Sequence, residues 1–430
     1  MTPGGRLAAA IEVLEAIETR HRPVAEALKE WGISHRFAGS KDRAAIGNMV
    51  YDALRKQASS QWRWQDASAR AAVIVSFCRS RGLSAGDFDA LIAGDPHAPA
   101  ALTGVEGARL ADDGAHPPGH VAADVPEWLS VRLERSLGPG WVEEGAALAE
   151  RPPLDIRVNR LKADRDKVAK ALAAHGATEM ALAPDGLRVP PIVGDGRHPN
   201  LQVEPGFQKG WFEIQDEGSQ LAALLTGAAP GEQVLDLCAG AGGKTLAIAA
   251  AMGNKGQIFA TDSDRSRLAP IFDRLKRAAT RNVQVRPARA DLTDLEGRMD
   301  LVLLDVPCTG SGTWRRRPDA KWRLSERALA DRAAEQAQLL DQTVRYLKPG
   351  GRLVYVTCSL LSEENGDQIA AFLDRTPDMS LVPPAAMIDA APLPETSKSA
   401  LRPHGGDIGL LMTPRRTATD GFFVAMMRKG

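Results

Sequence analysis

Between residues 231 and 357 the chain alternates short apolar runs with longer amphipathic stretches, and this rhythm restricts the fold more than any other feature of the sequence. Strands are expected at 234–237, 257–261, 283–286, 299–304 and 352–357, with helices at 244–252, 265–279 and 325–346. Such alternation implies right-handed crossovers and a mostly parallel, doubly wound α/β sheet. Residues 409–412 and 421–427 lie a loop apart without a helix, so the sheet should finish with an antiparallel hairpin. In sheets of this kind ligands sit outside the carboxyl ends of the strands.

Two of those strand ends carry thiols. Leu303-Leu304-Asp305-Val306-Pro307-Cys308 runs into Thr309-Gly310-Ser311-Gly312, and Val354-Tyr355-Val356-Thr357-Cys358-Ser359 closes a later strand. Asp305, Cys308 and Cys358 are therefore expected to face a site, and the pair of thiols suggests cysteine chemistry. The chain has 4 cysteines, too few and too scattered for a disulfide framework, and no CxxC, so no metal site is expected. Reduced thiols fit a cytoplasmic protein. Acids interrupt the N-terminal apolar stretch and no run is long enough to span a bilayer, so neither a signal peptide nor membrane association is expected. Lys+Arg (54) balance Asp+Glu (54), so any contact with nucleic acid must come from local basic patches.

Asp236-Leu237-Cys238-Ala239-Gly240-Ala241-Gly242-Gly243-Lys244-Thr245 joins the first strand to the first helix of the sheet. Its glycines allow close backbone approach, and the helix that follows offers free amides. A Walker A loop would need glycine at Cys238, and a dinucleotide fingerprint would need one at Thr245. The shorter glycine loop of S-adenosylmethionine enzymes remains. Asp262, at the end of the second strand, suits a ribose diol, and Asp291, after the third, suits an adenine edge; each alone reads equally well as a helix cap.

Upstream, residues 7–92 have a helical pattern, 93–125 are a Pro- and Gly-rich linker or irregular excursion, and 126–148 are helical again. A strand at 154–159, a helix at 164–175 and short strands at 186–193 suggest a small α/β module. The expected division is 1–140, 141–205 and 206–430. Arg43 lies on a helix whose basic face reads as solvated or as RNA-contacting. Trp314-Arg315-Arg316-Arg317-Pro318-Asp319-Ala320-Lys321-Trp322 interleaves cations with aromatics, a pattern suited to phosphates and unstacked bases, with Arg316, Arg317, Lys321 and Trp322 as the RNA-binding candidates.

These motifs resemble the RsmB/NOP/Sun family of RNA cytosine-5 methyltransferases. The likeness is carried by the loop at 238–244, Asp262, Asp291, Asp305-Val306-Pro307-Cys308, Arg316-Arg317-Pro318-Asp319-Ala320-Lys321-Trp322, Thr357-Cys358-Ser359, Glu363-Glu364-Asn365 and Asp420-Gly421-Phe422-Phe423. Arg157-Val158-Asn159 and Gln215-Asp216-Glu217-Gly218-Ser219-Gln220 resemble the family's small pre-catalytic, RRM-like module, and the N-terminal helices its NusB-like RNA-binding domain. Two departures are visible: Gly240-Ala241 replaces the family's usual Ala-Pro, and the loop Thr309-Gly310-Ser311-Gly312-Thr313 is varied. The resemblance implies a Rossmann-like methyltransferase domain that binds S-adenosylmethionine through Cys238, Ala239, Gly240, Ala241, Gly242, Gly243, Lys244, Asp262, Asp291 and Asp305. It further implies attack on C6 of cytosine by Cys358, release by Cys308 and an amidine contact by Asp305. Structured RNA, most simply ribosomal, is the implied partner, and a monomer is the default. Two RNA-level alternatives stay open, a transfer-RNA cytosine methyltransferase and a non-catalytic RNA-binding assembly factor; the broken fingerprint disfavours a nicotinamide-dependent dehydrogenase.

Overall fold

A computed structural model describes residues 1–112 and 116–430. The chain forms two compact units. One comprises Met1–Pro152, Pro191–His198 and Thr313–Leu324; the other comprises Pro153–Pro190, Pro199–Gly312 and Ser325–Gly430.

The first unit is all helical among its described residues. Helix Pro3–Arg20 starts where Thr2 accepts a hydrogen bond from Gly5 N, and it buries Leu7, Ala10, Val13, Leu14 and Ile17. Helix Ala69–Arg81, capped by Ser68, is buried without a break from Ala71 to Cys78, as a stretch lacking a polar face must be. Cys78 accordingly belongs to the core, where burial pushes its thiol up to about 12. The stretch 93–125 is not a linker. Helix Gly104–Ala111 begins in a Thr103/Glu106 capping box, and Leu110, Val121 and Val125 are buried. Abundant proline and glycine concealed a short helix whose cap was in plain view; residues 113–115 lie outside the described residues.

Two excursions from elsewhere in the chain complete this unit. Segment 191–198 is held by Arg151, which donates to the Ile192 and Gly194 carbonyls at 3.0 and 2.8 Å, and by an Arg81–Asp195 pair. Segment 313–324 contributes helix Pro318–Arg323, which packs on helix Ser40–Arg55.

The second unit holds two sheets. In the smaller, β1 (Leu154–Val158), β2 (Thr178–Glu179), β3 (Gly186–Val189) and β4 (Phe212–Ile214) are all antiparallel in the order β2-β3-β1-β4. Helix Arg165–Leu172 buries Val168 and Leu172 in a core shared with Ile156, Val158, Leu187 and Phe212. The boundary expected at 205 cuts β4 from its partners, because three residues are too few to announce a strand. Asn159 ties this sheet to the rest of the unit by donating to the Gly210 and Ala278 carbonyls, both at 2.9 Å.

The larger sheet is eight-stranded. Its main path runs β10 (Met379–Val382), β12 (Phe422–Lys429), β9 (Leu347–Thr357), β8 (Met299–Asp305), β5 (Gln233–Asp236), β6 (Gln257–Ala260), β7 (Val283–Val285), and β11 (Leu410–Met412) also pairs with β12. The five strands from β9 to β7 are parallel, whereas β12 runs antiparallel to β9, β10 and β11. The expected hairpin is thus present between β11 and β12, while β10 has no counterpart in the sequence reading. The helix expected at 265–279 is broken into Arg265–Leu268 and Ile271–Ala278, because Pro270 supplies no amide to continue it. Strand order reverses between β5 and β8, and the crevice outside their carboxyl ends is the natural place for a ligand.

Candidate active site

The glycine loop after β5 opens onto that crevice. Gly240 and Gly242 have φ of 50° and 81°, and a Cβ on Gly242 would meet Ile271 Cγ1 at 2.5 Å, so a side chain there is excluded twice over. Asp262 fixes the loop: its Oδ2 accepts from Gly240 N and its Oδ1 from Asp264 N, both at 2.9 Å. Ala239 N donates to the Thr261 carbonyl at 2.9 Å, Arg274 donates to the Ala241 carbonyl at 2.8 Å, and Gly243 and Lys244 begin helix Gly243–Ala251. Cys238 is buried, which pushes its thiol pKa up and keeps it a wall.

A cavity of about 360 Å³ adjoins the loop, lined by Cys238, Thr261, Asp262, Ala290, Leu292 and Pro307 among others. The lining combines the Asp262 carboxylate with apolar side chains such as Leu292 and Pro307, groups that can hold an adenosine. Asp291 stands differently from its expected adenine contact. It is exposed, both oxygens accept from Thr293 at 3.0 Å, which holds its carboxyl below the usual range, and its neighbours Ala290 and Leu292 line the slot instead. Asp236, which the sequence reading passed over, lies beneath the loop. Its Oδ2 accepts from Thr245 Oγ1 at 2.6 Å, its Oδ1 is buried without a partner among the described residues, and burial pushes its pKa up to about 7. Its position at the end of β5, just before the glycines, was the available signal.

Beyond the loop, the helix N-terminus and the end of β8 meet. Lys244 Nζ donates to Asp305 Oδ2 at 2.7 Å and lies 5.1 Å from the Phe422 ring centroid. Asp305 keeps 32% of its side chain exposed, against 9% for Lys244, so the acid is the open member of the pair. Parallel pairing of β8 with β9, which sets Asp305 opposite Val356, brings the two thiols together. Cys308 Sγ and Cys358 Sγ are 3.4 Å apart and both are half-buried. The contact with Cys358, then burial, raises the Cys308 pKa well above a free thiol's, so this sulfur keeps its proton at neutral pH.

The loops that carry the thiols are stitched from below. Glu364, fully buried, accepts from Thr309 N at 2.8 Å, Thr309 Oγ1 at 2.5 Å and Gln336 Nε2 at 3.0 Å. Ser311 Oγ and Ser359 Oγ are 3.0 Å apart, and Asn365 donates to the Ser359 carbonyl at 2.9 Å. Gly312 and Gly421 cross so closely that a Cβ on Gly312 would meet the Gly421 carbonyl oxygen at 2.2 Å. Gln336 escaped the sequence reading, since nothing local distinguishes it from an ordinary polar residue.

The RNA candidates belong to the helical unit. Lys321 is buried and donates to the Arg55 carbonyl at 3.1 Å, while Trp322 Nε1 donates to the Leu54 carbonyl at 2.7 Å. Together they cap the C-terminus of helix Ser40–Arg55, where a cation also meets the negative end of the helix dipole. Lys321 is thus turned away from any phosphate, contrary to expectation, and its burial lowers its pKa to about 8. Arg317 is exposed and Arg316 half-buried, and Arg43 is exposed with its Nε on the Ala38 carbonyl at 2.9 Å.

With this geometry in place, comparison with known proteins identifies the family. Residues 223–428 match the model described as 16S rRNA methyltransferase RsmB/F, and residues 125–191 match its ferredoxin-like domain. Over these residues the chain belongs to the RsmB/F methyltransferase family. The ribosomal RNA small subunit methyltransferase B of Klebsiella pneumoniae (strain 342) is 38% identical over 266 residues, 60% of this chain and 59% of that protein. The chain therefore spans about three fifths of such a relative's length. The crystal structure of PH0851 matches at TM-score 0.73 and 27% identity, covering 100% of this chain and 99% of its own. A methyltransferase homolog protein from Pyrococcus horikoshii matches at TM-score 0.58 and 29% identity, covering 73% of this chain and 98% of its own. The large sheet has a Rossmann-like methyltransferase architecture, and the ferredoxin-like match takes in β1, β2 and β3 of the small sheet. Among the described residues no group of three His, Cys, Asp or Glu is arranged to hold a metal ion, and no helix is long and apolar enough to cross a membrane.

Proposed function

We propose that this RsmB/F-family protein is a cytoplasmic enzyme that transfers a methyl group to C5 of a cytidine in small-subunit ribosomal RNA. The observation that carries the reading is the pair of sulfurs 3.4 Å apart at the ends of adjacent parallel strands, beside the Lys244–Asp305 pair. S-adenosylmethionine, when bound, supplies an electrophilic methyl group. The glycine loop, Asp262 and the slot through Leu292 and Pro307 would hold it, and no step needs Cys238 as a thiolate.

C5 of cytosine is a poor nucleophile, so the residues must first make it a better one. Cys358 adds as thiolate to C6 and converts C5 into an enamine carbon, the strategy of splitting one hard step into two easier ones. Asp305, open on one side and oriented by Lys244 on the other, meets the amidine edge and favours a proton on N3 as the adduct forms. After transfer the C5 proton passes to water, its bonding pair restores the C5–C6 double bond, and Cys358 leaves C6 as thiolate. Cys308, which keeps its proton and touches Cys358, serves release, and Glu364 holds its loop through Thr309. The target base enters flipped or already unpaired. Arg43, Arg316 and Arg317 remain the cations offered to the RNA backbone, with Lys321 and Trp322 supporting them from the interior of the helical unit.

Expression of Cys308→Ala and of Cys308→Ala/Cys358→Ala tests this assignment. The single variant should accumulate protein crosslinked to RNA on a denaturing gel, the double variant should not, and sequencing the trapped RNA names the cytidine. If both variants fold and bind S-adenosylhomocysteine yet neither traps RNA, the two-thiol reading is wrong.

A further inference from the structure

At the C-terminus of helix Ile271–Ala278 the segments flanking β1 and β4 of the small sheet press against the methyltransferase domain. Asn159, just after β1, donates to the Gly210 and Ala278 carbonyls, and Gly210 leaves no room for a Cβ against the Arg277 carbonyl. Arg274, one turn earlier on the helix, donates to the Ala241 carbonyl of the glycine loop. The junction thus begins about 5 Å of helix beyond a residue that touches the cofactor loop.

Three lysines from separate segments surround this junction. Lys162, in the turn after β1, donates to the Arg277 carbonyl at 3.2 Å. Lys167, on helix Arg165–Leu172, and Lys209, next to Gly210, both lie over the indole of Trp211, with Nζ 4.0 and 5.2 Å from the ring centroid. All three lysines are exposed, and none is ion-paired with a carboxylate among the described residues. The nearby acids are otherwise engaged or stand apart. Asp164 caps the helix by accepting from Lys167 N at 2.8 Å, and Glu213 accepts from Arg274 and Arg277. Asp166 and Asp273, the remaining acids of the two helices, are exposed and make no ion pair with these lysines.

Capping of a helix end accounts for Lys162, and a cation–π contact, about 0.5–1 kcal/mol at an exposed site, accounts for one ammonium on Trp211. Neither accounts for two on one ring. Their distances to a common centroid hold them within about 10 Å, one Debye length at 0.1 M salt, so they repel each other. An anion beside both removes that repulsion. Lysine carries a point charge on a flexible stem, which suits phosphates spaced along a backbone better than one planar carboxylate. On the reading of RNA as the substrate, on which this inference rests, we propose that Lys162, Lys167 and Lys209 form a docking surface for the phosphate backbone of that RNA. Contacts of this kind set affinity through salt and carry no base sequence.

Binding of the full chain to protein-free small-subunit ribosomal RNA, measured at several potassium chloride concentrations, tests this. Lys162→Gln should reduce the slope of log affinity against log salt by about 1, and Lys167→Gln/Lys209→Gln by about 2. Lys167→Arg/Lys209→Arg keeps both charges and should keep the slope. Unchanged melting temperature and S-adenosylhomocysteine binding in the Lys167/Lys209 variants report an intact fold. A wild-type slope in Lys167→Gln/Lys209→Gln, or no binding of this RNA by the unaltered chain, overturns the assignment. Weakened binding of polyglutamate with RNA binding unchanged gives the lysines to an acidic protein and overturns it as well. The crosslink formed by Cys308→Ala reads separately. A crosslink without a lysine-dependent slope leaves the methylation reading standing and removes this surface, whereas a lysine-dependent slope without a crosslink does the opposite.

Discussion

Residues 303–312, with Asp305 and Cys308, and residues 313–324, with Arg315, Arg316, Arg317, Asp319, Lys321 and Arg323, are consecutive in the chain, yet they are used in opposite ways. In the first, Asp305 stays a third exposed and Cys308 half-buried, supported from beneath by Glu364 and Ser359. In the second, Trp314, Arg315 and Lys321 are buried, and Lys321 and Trp322 spend their donors on the last carbonyls of helix Ser40–Arg55. A cation beside an indole serves a helix C-terminus as well as it serves a phosphate. The identity of a charged residue therefore says less about its task than the direction in which its strand or helix delivers it.

Asp305→Asn should separate the two stretches most sharply. On the proposed mechanism it removes the group that meets the base, so methyl transfer should fall by about 10²- to 10⁴-fold with little change in melting temperature. Lys321→Ala should do the reverse, lowering the stability of the helical unit by about 1–3 kcal/mol through the Arg55 carbonyl left unmet. Single-turnover rates and thermal melts on the same preparations check both, and an activity loss without destabilisation in Lys321→Ala would put that ammonium back at the RNA.

Gly421→Ala comes next, since its Cβ would lie 2.5 Å from Gly312 Cα. Overpacking of this kind costs about 1–3 kcal/mol, and because Gly312 closes the loop after Cys308 the melt and the rate should drop together.

Each of the two units also has a buried titratable group with a signature in pH. Asp236, below the glycine loop, has a folded pKa of about 7, above that of an unfolded carboxyl, so the folded state holds the extra proton between roughly pH 4 and 7 and stability falls as pH rises through that window. Lys321, at about 8, is depressed below its unfolded value, so the unfolded state holds the extra proton above pH 8 and stability rises from there towards roughly pH 10. Chemical denaturation across pH should show both slopes; Asp236→Asn should flatten only the acidic one and Lys321→Ala only the basic one.

The smallest effect concerns Arg317, an exposed cation of the second stretch. Arg317→Ala should leave the melt unchanged and reduce the slope of log affinity against log salt by about 1, read from RNA binding at several salt concentrations.

The parallel sheet was legible because a buried strand and an amphipathic helix write different periods into the sequence, and the glycine loop because only glycine tolerates its φ angles and its approach to Ile271. The positions of Asp262, Asp305, Cys308 and Cys358 were legible because each lies at or just beyond the end of a strand in a sheet whose topology dictates where strand ends lead. Less visible were β4 and β10, which are too short to show a period, and helix Gly104–Ala111, hidden among prolines and glycines. No local pattern could show that Glu364 would reach back to Thr309, that Lys321 would close a helix more than 260 residues earlier, or that Glu213 would turn to Arg274 and Arg277. The sequence by itself determined the repeating elements and the chemistry at their ends, since these depend on residues close together in the chain. Tertiary structure alone decided which charges met partners and which were left open, because satisfying a buried polar group depends on whatever distant residue the fold brings within about 3 Å.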